Sequence, residues 1–363
     1  MNQKRMSAKV SFIVAMYNVA AYIEQCARSL FEQTEKDLEF IFVDDASPDN
    51  CTEIVRRVMG EYPERVPQVK IVRHAENKRI IETRRDGLSA ATGEYVTFID
   101  GDDYVEPRHA ELAYGKAAET GADMVLYDLY GYSKDGVQVV QAVSPIAIQQ
   151  NMKFNDAIIL RWVMPYLTCK MIKRDILTTN DIAWAVKSYG EDVVLSISAA
   201  YYTKKVEYLQ TPLYHYRYNP QSITNSIDKE RLLKNYSDYM DNMRVIDDFL
   251  TRKGVSDYYA AGLYTSKLNV RNHLLPLVGE RNYRRMWFRC FPEINKEMFW
   301  GGKGHKSRFR DKLWYVCIGL GLYPRMRKTL VKRKFWPGHE FARGAFYFHE
   351  LYQESLKRDS QKK

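Results

Sequence analysis

The sequence is poor in cysteine and has no long hydrophobic run. Its 363 residues include five cysteines, which are widely spaced and form no C-x-x-C pair. This pattern favours neither a disulfide framework nor a zinc site. The longest apolar run covers residues 313–323, far short of the ~20 residues that cross a bilayer as a helix. We therefore predict no membrane-spanning helix and a reducing, cytoplasmic environment.

Three further signals are missing from the sequence. Residues 1–10 are basic but lead into a short strand pattern instead of a long apolar segment, so we expect no secretion signal. There is no glycine-rich phosphate loop, which argues against a P-loop enzyme. His74, His305 and His339 lack the spacing of metal ligands.

The positive charge is concentrated near the end of the chain. The net formal charge is +10, and residues 301–363 contain 16 Lys and Arg against 5 Asp and Glu. Basic, aromatic and aliphatic residues alternate over 305–336, a pattern that favours an anionic membrane surface as partner. The alternative is a helix pair that packs on the protein and has a solvated basic face. Because no recognised nucleic-acid module accompanies the charge, we expect no nucleic-acid partner.

The first part of the chain alternates between strands and helices. Continuous apolar runs at 10–16 and 38–43 indicate strands that are buried on both faces. Further strands are predicted at 69–72 and 95–99, with a helix at 80–91 between them. This alternation is typical of an α/β fold with an open parallel sheet, in which ligands bind beyond the carboxyl ends of the strands.

The middle of the chain gives a more mixed pattern. A strand at 124–129 leads into a Ser-Lys-Asp-Gly turn, which suggests a hairpin. Helices are predicted at 156–163 and 191–202, followed by two strands at 206–209 and 213–216. These elements are expected to complete the α/β domain.

Helical periodicity dominates the remaining sequence. Apolar residues recur at helical spacing over 228–253, and Gly254 supplies a stop signal. The glycine-rich segment 301–304 is a predicted linker. We therefore predict an α/β domain at 1–225, a helical extension at 226–300 and a basic, aromatic, amphipathic tail at 301–363.

Acidic residues cluster where the buried strands end. Asp44 and Asp45 follow one strand, and Asp100, Asp102 and Asp103 follow another. Like charges that converge at one edge of a sheet need a cation or hydrogen-bond donors. Mg²⁺ or Mn²⁺ fits, because it accepts a few carboxylate oxygens and fills its other positions with water and substrate phosphates. The alternative is that these are turn and capping aspartates, which are common after strands.

The order of the motifs along the chain identifies a family. They are VSFIVAMYN (10–18), FIFVDDASPDN (40–50), ENKRIIETRRDGLSAATGEYVTFIDGDD (76–103), CKMIKRDIL (169–177), GEDVVLSI (190–197) and LYHYRYNPQSIT (213–224). This ordered set resembles family 2 glycosyltransferases, which use nucleotide-sugars and have the GT-A fold. The resemblance implies that 1–225 is a GT-A catalytic domain, with an open mixed, mainly parallel sheet flanked by helices and a C-terminal helical extension.

The resemblance further implies a site for the nucleotide-sugar donor. Asp45 would bind the base or the ribose with Tyr17 near the base, and Arg84 would serve the nucleotide side. Arg217 follows a predicted strand, where it would either reach the diphosphate as a forked donor or close a surface ion pair. The alternatives are that Tyr17 packs in the core and that Arg84 is an ordinary surface charge.

The metal and the catalytic base also follow from the resemblance. Asp100, Asp102 and Asp103 match the D-x-D-D segment that places the donor's sugar-diphosphate and the metal, with Asp102 and Asp103 as predicted ligands of Mn²⁺ or Mg²⁺. A divalent ion stabilises the charge on the departing diphosphate without proton transfer. Asp192 matches the acceptor-side base, which takes the proton of the attacking hydroxyl. Its alternative role is to favour the macrodipole at a helix start.

Together these features predict an inverting, metal-dependent glycosyltransferase of surface-polysaccharide biosynthesis. It would move a hexosyl or N-acetylhexosaminyl group from a nucleotide-sugar, expected to be a UDP-sugar, to a saccharide or lipid-linked saccharide. We expect it at the inner face of the plasma membrane as a peripheral protein. One alternative is a non-catalytic nucleotide-sugar-binding or scaffold protein of a membrane-surface complex, and another is a different α/β phosphate enzyme such as a nucleotidyltransferase.

Overall fold

The structure is a computed structural model that describes residues 8–133, 136–219, 228–302, 307 and 309–323. The chain divides into two compact units. The first comprises the described residues of Met1–Ser188 and Leu195–Tyr218, and the second comprises those of Tyr189–Val194 and Asn219–Lys363.

The first unit begins with parallel strands that alternate with helices, as the sequence pattern predicts. The strands are β1 (Val10–Met16), β2 (Leu38–Asp44), β3 (Val69–Arg73) and β4 (Tyr95–Asp100). The helices between them are α1 (Ile23–Phe31), α2 (Cys51–Met59) and α3 (Arg79–Ala90). The four strands pair in parallel in the order β3-β2-β1-β4. Almost every residue of β1 and β2 is buried, because helices cover both faces of a parallel sheet.

The same sheet continues with strands that are mostly antiparallel. The remaining strands are β5 (Tyr104–Val105), β6 (Met124–Ser133), β7 (Gly136–Val140), β8 (Lys170–Lys173) and β9 (Val206–Tyr216). The remaining helices of this unit are α4 (His109–Thr120), α5 (Pro145–Gln149), α6 (Phe154–Ile159) and α7 (Arg174–Thr178). The strand order is β3-β2-β1-β4-β8-β6-β9-β5, and β7 pairs with β6 as the predicted hairpin. Four of the eight strand pairs among the described residues are parallel.

The prediction of two separate strands at 206–209 and 213–216 is wrong. A single strand, β9, covers both and runs parallel to β6. Pro212 lies opposite Asp128, and the register shifts on both sides of Asp128. A bulge of this kind tolerates a residue without an N–H, so the strand continues where the sequence pattern indicates a break.

Aromatic packing and one buried arginine hold the first helix against the sheet. Phe31 of α1 contacts Phe40 and Phe42 of β2, with ring centroids 5.4 and 6.0 Å apart. Arg65 is buried and donates hydrogen bonds to four main-chain oxygens in the turn at 31–36. Its charge is therefore satisfied by carbonyl dipoles, which fix the chain between α1 and β2.

The described part of the second unit is helical. Its helices are α9 (Lys229–Arg252), α10 (Ala260–Asn272), α11 (Arg281–Arg289), α12 (Ile294–Trp300) and α13 (Phe309–Gly319). The helix α8 (Glu191–Tyr202) starts in this unit. Asp228 caps α9, since its Oδ1 accepts a hydrogen bond from the Arg231 N–H at 2.7 Å. Gly254 follows α9 at φ +70°, as the stop signal predicts.

A buried arginine organises the second unit. Arg271 of α10 donates to the main-chain oxygens of Cys290 and Phe291 and to Asn295 Oδ1. Its guanidinium also lies 4.8 Å from the ring centroid of Trp287 in α11. Burial lowers the Arg271 pKa to about 10. One side chain thus joins α10 to α11 and to the start of α12.

The described part of the basic tail packs within the second unit. Trp314, Ile318 and Tyr323 are buried, and Tyr315 contacts Phe288 with ring centroids 5.0 Å apart. For these residues the structure agrees with the packed alternative. The predicted linker residues 303–304 and the tail from 324 onwards lie outside the described residues. No described helix is long and apolar enough to cross a membrane.

Candidate active site

Strained backbone marks the carboxyl ends of the parallel strands. Asn18 follows β1 at φ +55°, and Ala46 follows β2 at φ +53°. Arg79, the first residue of α3, has φ +70°. Residues other than glycine rarely adopt this region, and they do so mainly where a functional site needs an unusual chain path. The Asn18 N–H donates to Ser47 Oγ at 2.8 Å, so the first two of these turns are linked.

The two adjacent aspartates after β2 have different partners. Asp44 is buried and accepts hydrogen bonds from the Ser47 N–H and from Thr52 Oγ1, both at 2.7 Å. It therefore holds its own turn, as the alternative for strand-end aspartates proposes. Asp45 instead contacts the next strand-to-helix connection.

Asp45 fixes the start of α3. Its Oδ1 accepts the Lys78 N–H at 2.7 Å, and its Oδ2 accepts the Arg79 N–H at 2.8 Å. His74 Nδ1 lies 2.7 Å from Asp45 Oδ1. A carboxylate offers about four acceptor positions, and three hydrogen-bond contacts occupy them here, although Asp45 itself is buried. The predicted role of Asp45 in base or ribose binding stays a prediction.

His74 is a site residue that the sequence analysis missed. Its ring is buried and lies between two carboxylates, with Nδ1 on Asp45 and Nε2 2.9 Å from Asp86 Oδ2. The Nε2 contact is close but lacks hydrogen-bond alignment. The available signal was position, since His74 directly follows β3 at the same edge of the sheet as Asp45. The spacing of the histidines along the sequence gave no indication that His74 contacts Asp45.

Arg84 and Asp100, which are far apart in the sequence, meet at this edge of the sheet. Arg84 Nη2 lies 3.1 Å from Asp100 Oδ1, and the Arg84 guanidinium lies 5.9 Å from the ring centroid of Phe98. Arg84 is buried, so it is not an ordinary surface charge. The structure thus brings together two residues that the sequence analysis assigns to donor binding.

Asp103 ties the acidic loop to the end of β9. The side chain is 1% exposed, its Oδ2 accepts from the Tyr214 hydroxyl at 2.6 Å, and its Oδ1 accepts from the Arg217 N–H at 2.7 Å. Burial raises the pKa of Asp103 well above its usual value, and the neighbouring Asp102 and Asp100 raise it further. The geometry supports an anchoring role for Asp103, and its role as a metal ligand stays a prediction.

The D-x-D segment has too little space at position 101 for any residue larger than glycine. Its N–H donates to the Ala15 main-chain oxygen at 3.0 Å, and a Cβ atom added to Gly101 would lie 2.8 Å from that same oxygen. It would also lie 3.1 Å from Val19. A side chain at this position would therefore push the loop away from β1.

The structure places the other predicted donor residues at this edge as well. Tyr17 is 50% exposed directly after β1, so it does not pack in the core. The Arg217 guanidinium lies 5.3 Å from the Tyr22 ring and 5.1 Å from the Tyr104 ring, and its Nη2 donates to Gln25 Oε1 at 2.7 Å. Its buried Nε has no hydrogen-bond partner among the described residues.

Asp192 lies in the first turn of α8 and belongs to the second unit. The chain before it is held tightly. Gly190 has φ +82°, and a Cβ atom there would lie 2.8 Å from the Tyr239 ring. The Tyr189 main-chain oxygen accepts from Asn242 Nδ2 at 2.9 Å. The helix thus starts at a defined position, and the role of Asp192 as a base stays a prediction.

The acidic loop suits a divalent cation that shares its coordination with a substrate. No three or more described His, Cys, Asp or Glu side chains form a group able to hold a metal alone. Asp102 is partly exposed between the anchored Asp103 and the paired Asp100. Mg²⁺ and Mn²⁺ sites in phosphate enzymes commonly use one or two carboxylates plus substrate phosphates. The residues present therefore fit such an ion.

Comparison with known proteins shows what this chain is similar to. Residues 11–179 match the model of "Glycosyl transferase family 2". The chain is similar to the uncharacterized glycosyltransferase EpsJ of Bacillus subtilis, with 32% identity over 225 residues, which cover 59% of this chain and 62% of EpsJ. The chain spans less than two thirds of the length of the curated relatives that it matches first.

Solved structures show the same fold. S. aureus TarS 1-349 in complex with UDP-GlcNAc has a TM-score of 0.54 and 16% identity, with 90% of this chain and 92% of that chain covered. The mannosyltransferase PcManGT from Pyrobaculum calidifontis, in complex with GDP-Man and Mn²⁺, has a TM-score of 0.52 and 15% identity. That match covers 97% of this chain and 88% of PcManGT.

These findings agree with the family that the sequence motifs indicate, and they confirm the fold. Residues 11–179 match family 2 glycosyltransferases, and the α/β sheet is of the GT-A type. The roles of the individual site residues stay predictions.

The fit of Gly101 against β1 can be tested by substitution. We expect Gly101→Ala to lower the free energy of unfolding by about 1–3 kcal/mol, because the added methyl group overpacks the contact with Ala15. The matched control is Gly115→Ala in α4, where an added Cβ meets nothing within 4 Å. That change should stabilise the protein by about 0.5–1 kcal/mol. Urea unfolding measures both, and equal stability of the two variants would refute the close fit.

Proposed function

We propose that this protein is a metal-dependent, inverting glycosyltransferase that uses a nucleotide-sugar donor. The observation that carries the proposal is the convergence of Asp45, Arg84, Asp100, Asp102 and Asp103 at one edge of the sheet. The UDP-GlcNAc and GDP-Man complexes of proteins with the same fold support a nucleotide-sugar as donor. A UDP-sugar carrying a hexosyl or N-acetylhexosaminyl group is the proposed donor, and a saccharide or lipid-linked saccharide of surface polysaccharide is the proposed acceptor.

Each residue at this edge has a proposed task toward the donor. Tyr17 is exposed and can stack on the base, while Asp45 is the proposed acceptor for the base or ribose. Arg84 orients Asp100 through their ion pair, and Arg217 is the proposed diphosphate donor. Asp102, with Asp103 beside it, would hold Mn²⁺ or Mg²⁺. When bound, the ion supplies positive charge that stabilises the departing diphosphate.

The reaction is a single displacement. Asp192 takes the proton of the acceptor hydroxyl as the oxygen attacks the anomeric carbon. The new carbon–oxygen bond forms while the bond to the diphosphate breaks, and the nucleoside diphosphate leaves with the electron pair. Because attack comes from the side opposite the leaving group, the anomeric configuration inverts. No covalent enzyme intermediate is needed.

The proposed location is the inner face of the plasma membrane, reached from the cytoplasm. Two points support this location. Residues 301–363 are basic and aromatic in composition, and the proposed acceptor is a lipid-linked saccharide.

The central experiment measures transfer with a donor panel. Purified protein with Mn²⁺ and mixed lipid-linked acceptors should release nucleoside diphosphate from one donor, expected to be a UDP-sugar. Asp192→Asn should lower the rate by about 10²–10⁴-fold, which is the typical contribution of a general base, while the donor dissociation constant stays within about twofold. The control is Asp156→Asn, which removes a first-turn carboxylate from α6 and should keep full activity.

Two outcomes would contradict this function. If no donor releases nucleoside diphosphate, the transferase assignment is wrong. If the wild type binds a donor but transfers nothing to any acceptor, the non-catalytic nucleotide-sugar-binding or scaffold role takes its place.

Metal dependence is a separate prediction. Chelation with EDTA should abolish transfer, and Mn²⁺ should restore it, since the diphosphate otherwise leaves without charge stabilisation. Asp102→Asn should weaken Mn²⁺ binding in the presence of UDP at least tenfold, as measured by electron paramagnetic resonance. The control, Asp175→Asn in α7, removes an exposed carboxylate and should leave Mn²⁺ affinity unchanged. Full transfer in EDTA would show that the reaction needs no metal.

A further inference from the structure

A pocket of the second unit is lined almost entirely by arginine. It is open, has a volume of about 360 Å³ and lies between α11 and the end of α13. Its lining residues are Arg281, Arg284, Arg285, Phe288, Arg289 and Gly319. The spacing of the α11 residues places them on one face of the helix, while Trp287 faces inward and is buried. This face has no task in the proposed transfer reaction.

The positive charge of this face is not balanced by nearby acids. No described Asp or Glu lies within 4.0 Å of Arg281, Arg285 or Arg289, and the adjacent Glu280 pairs with Lys229 at 3.1 Å. Like charges three or four residues apart destabilise a helix. Residues 324–363 are themselves basic, with 11 Lys and Arg against 4 Asp and Glu. We therefore expect an anion from outside the chain to balance the positive charge of these arginines.

One arginine of the group is held rigidly. Arg284 Nη1 donates to the main-chain oxygens of Val278 and Gly279 at 3.1 and 3.3 Å. Gly321 has φ +72°, and a Cβ atom there would lie 2.6 Å from the same Nη1. The chain after α13 is thus fitted closely around this guanidinium. Arginine's planar fork matches the oxygens of phosphate groups.

The surroundings of the pocket are apolar and exposed. Phe288 forms one wall, and Gly319 forms part of another. On either side of Gly319 in the sequence, Val316 is 44% exposed and Leu320 is 66% exposed. Basic side chains next to exposed aliphatic ones are typical of a surface that meets phosphate headgroups and acyl chains together.

We propose that α11 and the end of α13 form a binding site for the phosphate headgroup of an anionic membrane phospholipid. Arg281, Arg285 and Arg289 contact the headgroup, and Val316 and Leu320 contact the acyl boundary. The choice of a membrane phospholipid as the ligand rests on the membrane contact proposed for the tail at 301–363. The present proposal adds a defined surface on α11 and α13 to that contact. Sugar transfer does not depend on it.

The test measures sedimentation of the full chain with vesicles of phosphatidylcholine, with and without about one third phosphatidylglycerol. The wild type should bind only the anionic vesicles. The triple variant Arg281→Gln/Arg285→Gln/Arg289→Gln should bind them at least tenfold more weakly. The matched control removes the same charge from α9 and the residue after it, as Arg244→Gln/Arg252→Gln/Lys253→Gln, and should bind within about twofold of the wild type.

Further measurements distinguish binding of a phospholipid from binding of other anions. Val316→Ser/Leu320→Ser should weaken vesicle binding several-fold, whereas a site for free phosphate would be insensitive to this change. Inorganic phosphate should displace the protein no better than chloride of equal ionic strength. A triple variant that loses binding to duplex DNA but keeps binding to vesicles would overturn the proposal.

Three results from the vesicles themselves would also overturn it. They are no binding by the wild type, unchanged binding by the triple variant, and equal loss in the α9 control. Transfer to a soluble acceptor should be the same in the wild type and the triple variant. Failure of the membrane site is therefore distinguishable from failure of the transferase function.

Discussion

The candidate active site depends on the hydrogen bonds that the buried carboxylate of Asp103 accepts. It accepts a hydrogen bond from the Tyr214 hydroxyl and another from the Arg217 N–H, so it joins the acidic loop after β4 to the end of β9. A carboxylate that is 1% exposed is costly unless it is satisfied in this way. Its raised pKa reflects that burial and the nearby Asp102 and Asp100.

The anchor determines where the neighbouring residues can act. Gly101 packs against β1 on one side of Asp102, and Asp103 is tied to β9 on the other side. Asp100 is held by Arg84. Asp102 is therefore partly exposed in a loop that is fixed on both sides. This arrangement is the physical reason to propose it as a residue that would hold the metal.

The sequence predicts the elements that depend on local pattern. Apolar runs predict the buried strands β1 and β2, and the acidic pairs that follow them predict which edge of the sheet carries the site. The alternation with helices predicts their parallel pairing. These features follow from short segments of the chain, so one sequence is sufficient to find them.

Features that depend on contacts between distant segments were missed. The bulge opposite Asp128 joins two predicted strands into β9, and local pattern around Pro212 indicates a break there. The partners of Asp45 and Asp103, His74 and Tyr214, were missed because the residue types histidine and tyrosine do not reveal which distant side chain they contact. The assignment of 189–194 to the helical unit likewise depends on Tyr239 and Asn242, about fifty residues further along the chain.

The most direct test is the effect of Tyr214→Phe on metal binding. The change removes only the hydroxyl group that holds Asp103, and a residue that positions a metal ligand typically affects affinity by 10–100-fold. We predict that the affinity for Mn²⁺ in the presence of UDP falls at least tenfold in Tyr214→Phe, with circular dichroism unchanged. Wild-type Mn²⁺ affinity in this variant would contradict the claim that the Asp103 anchor builds the site.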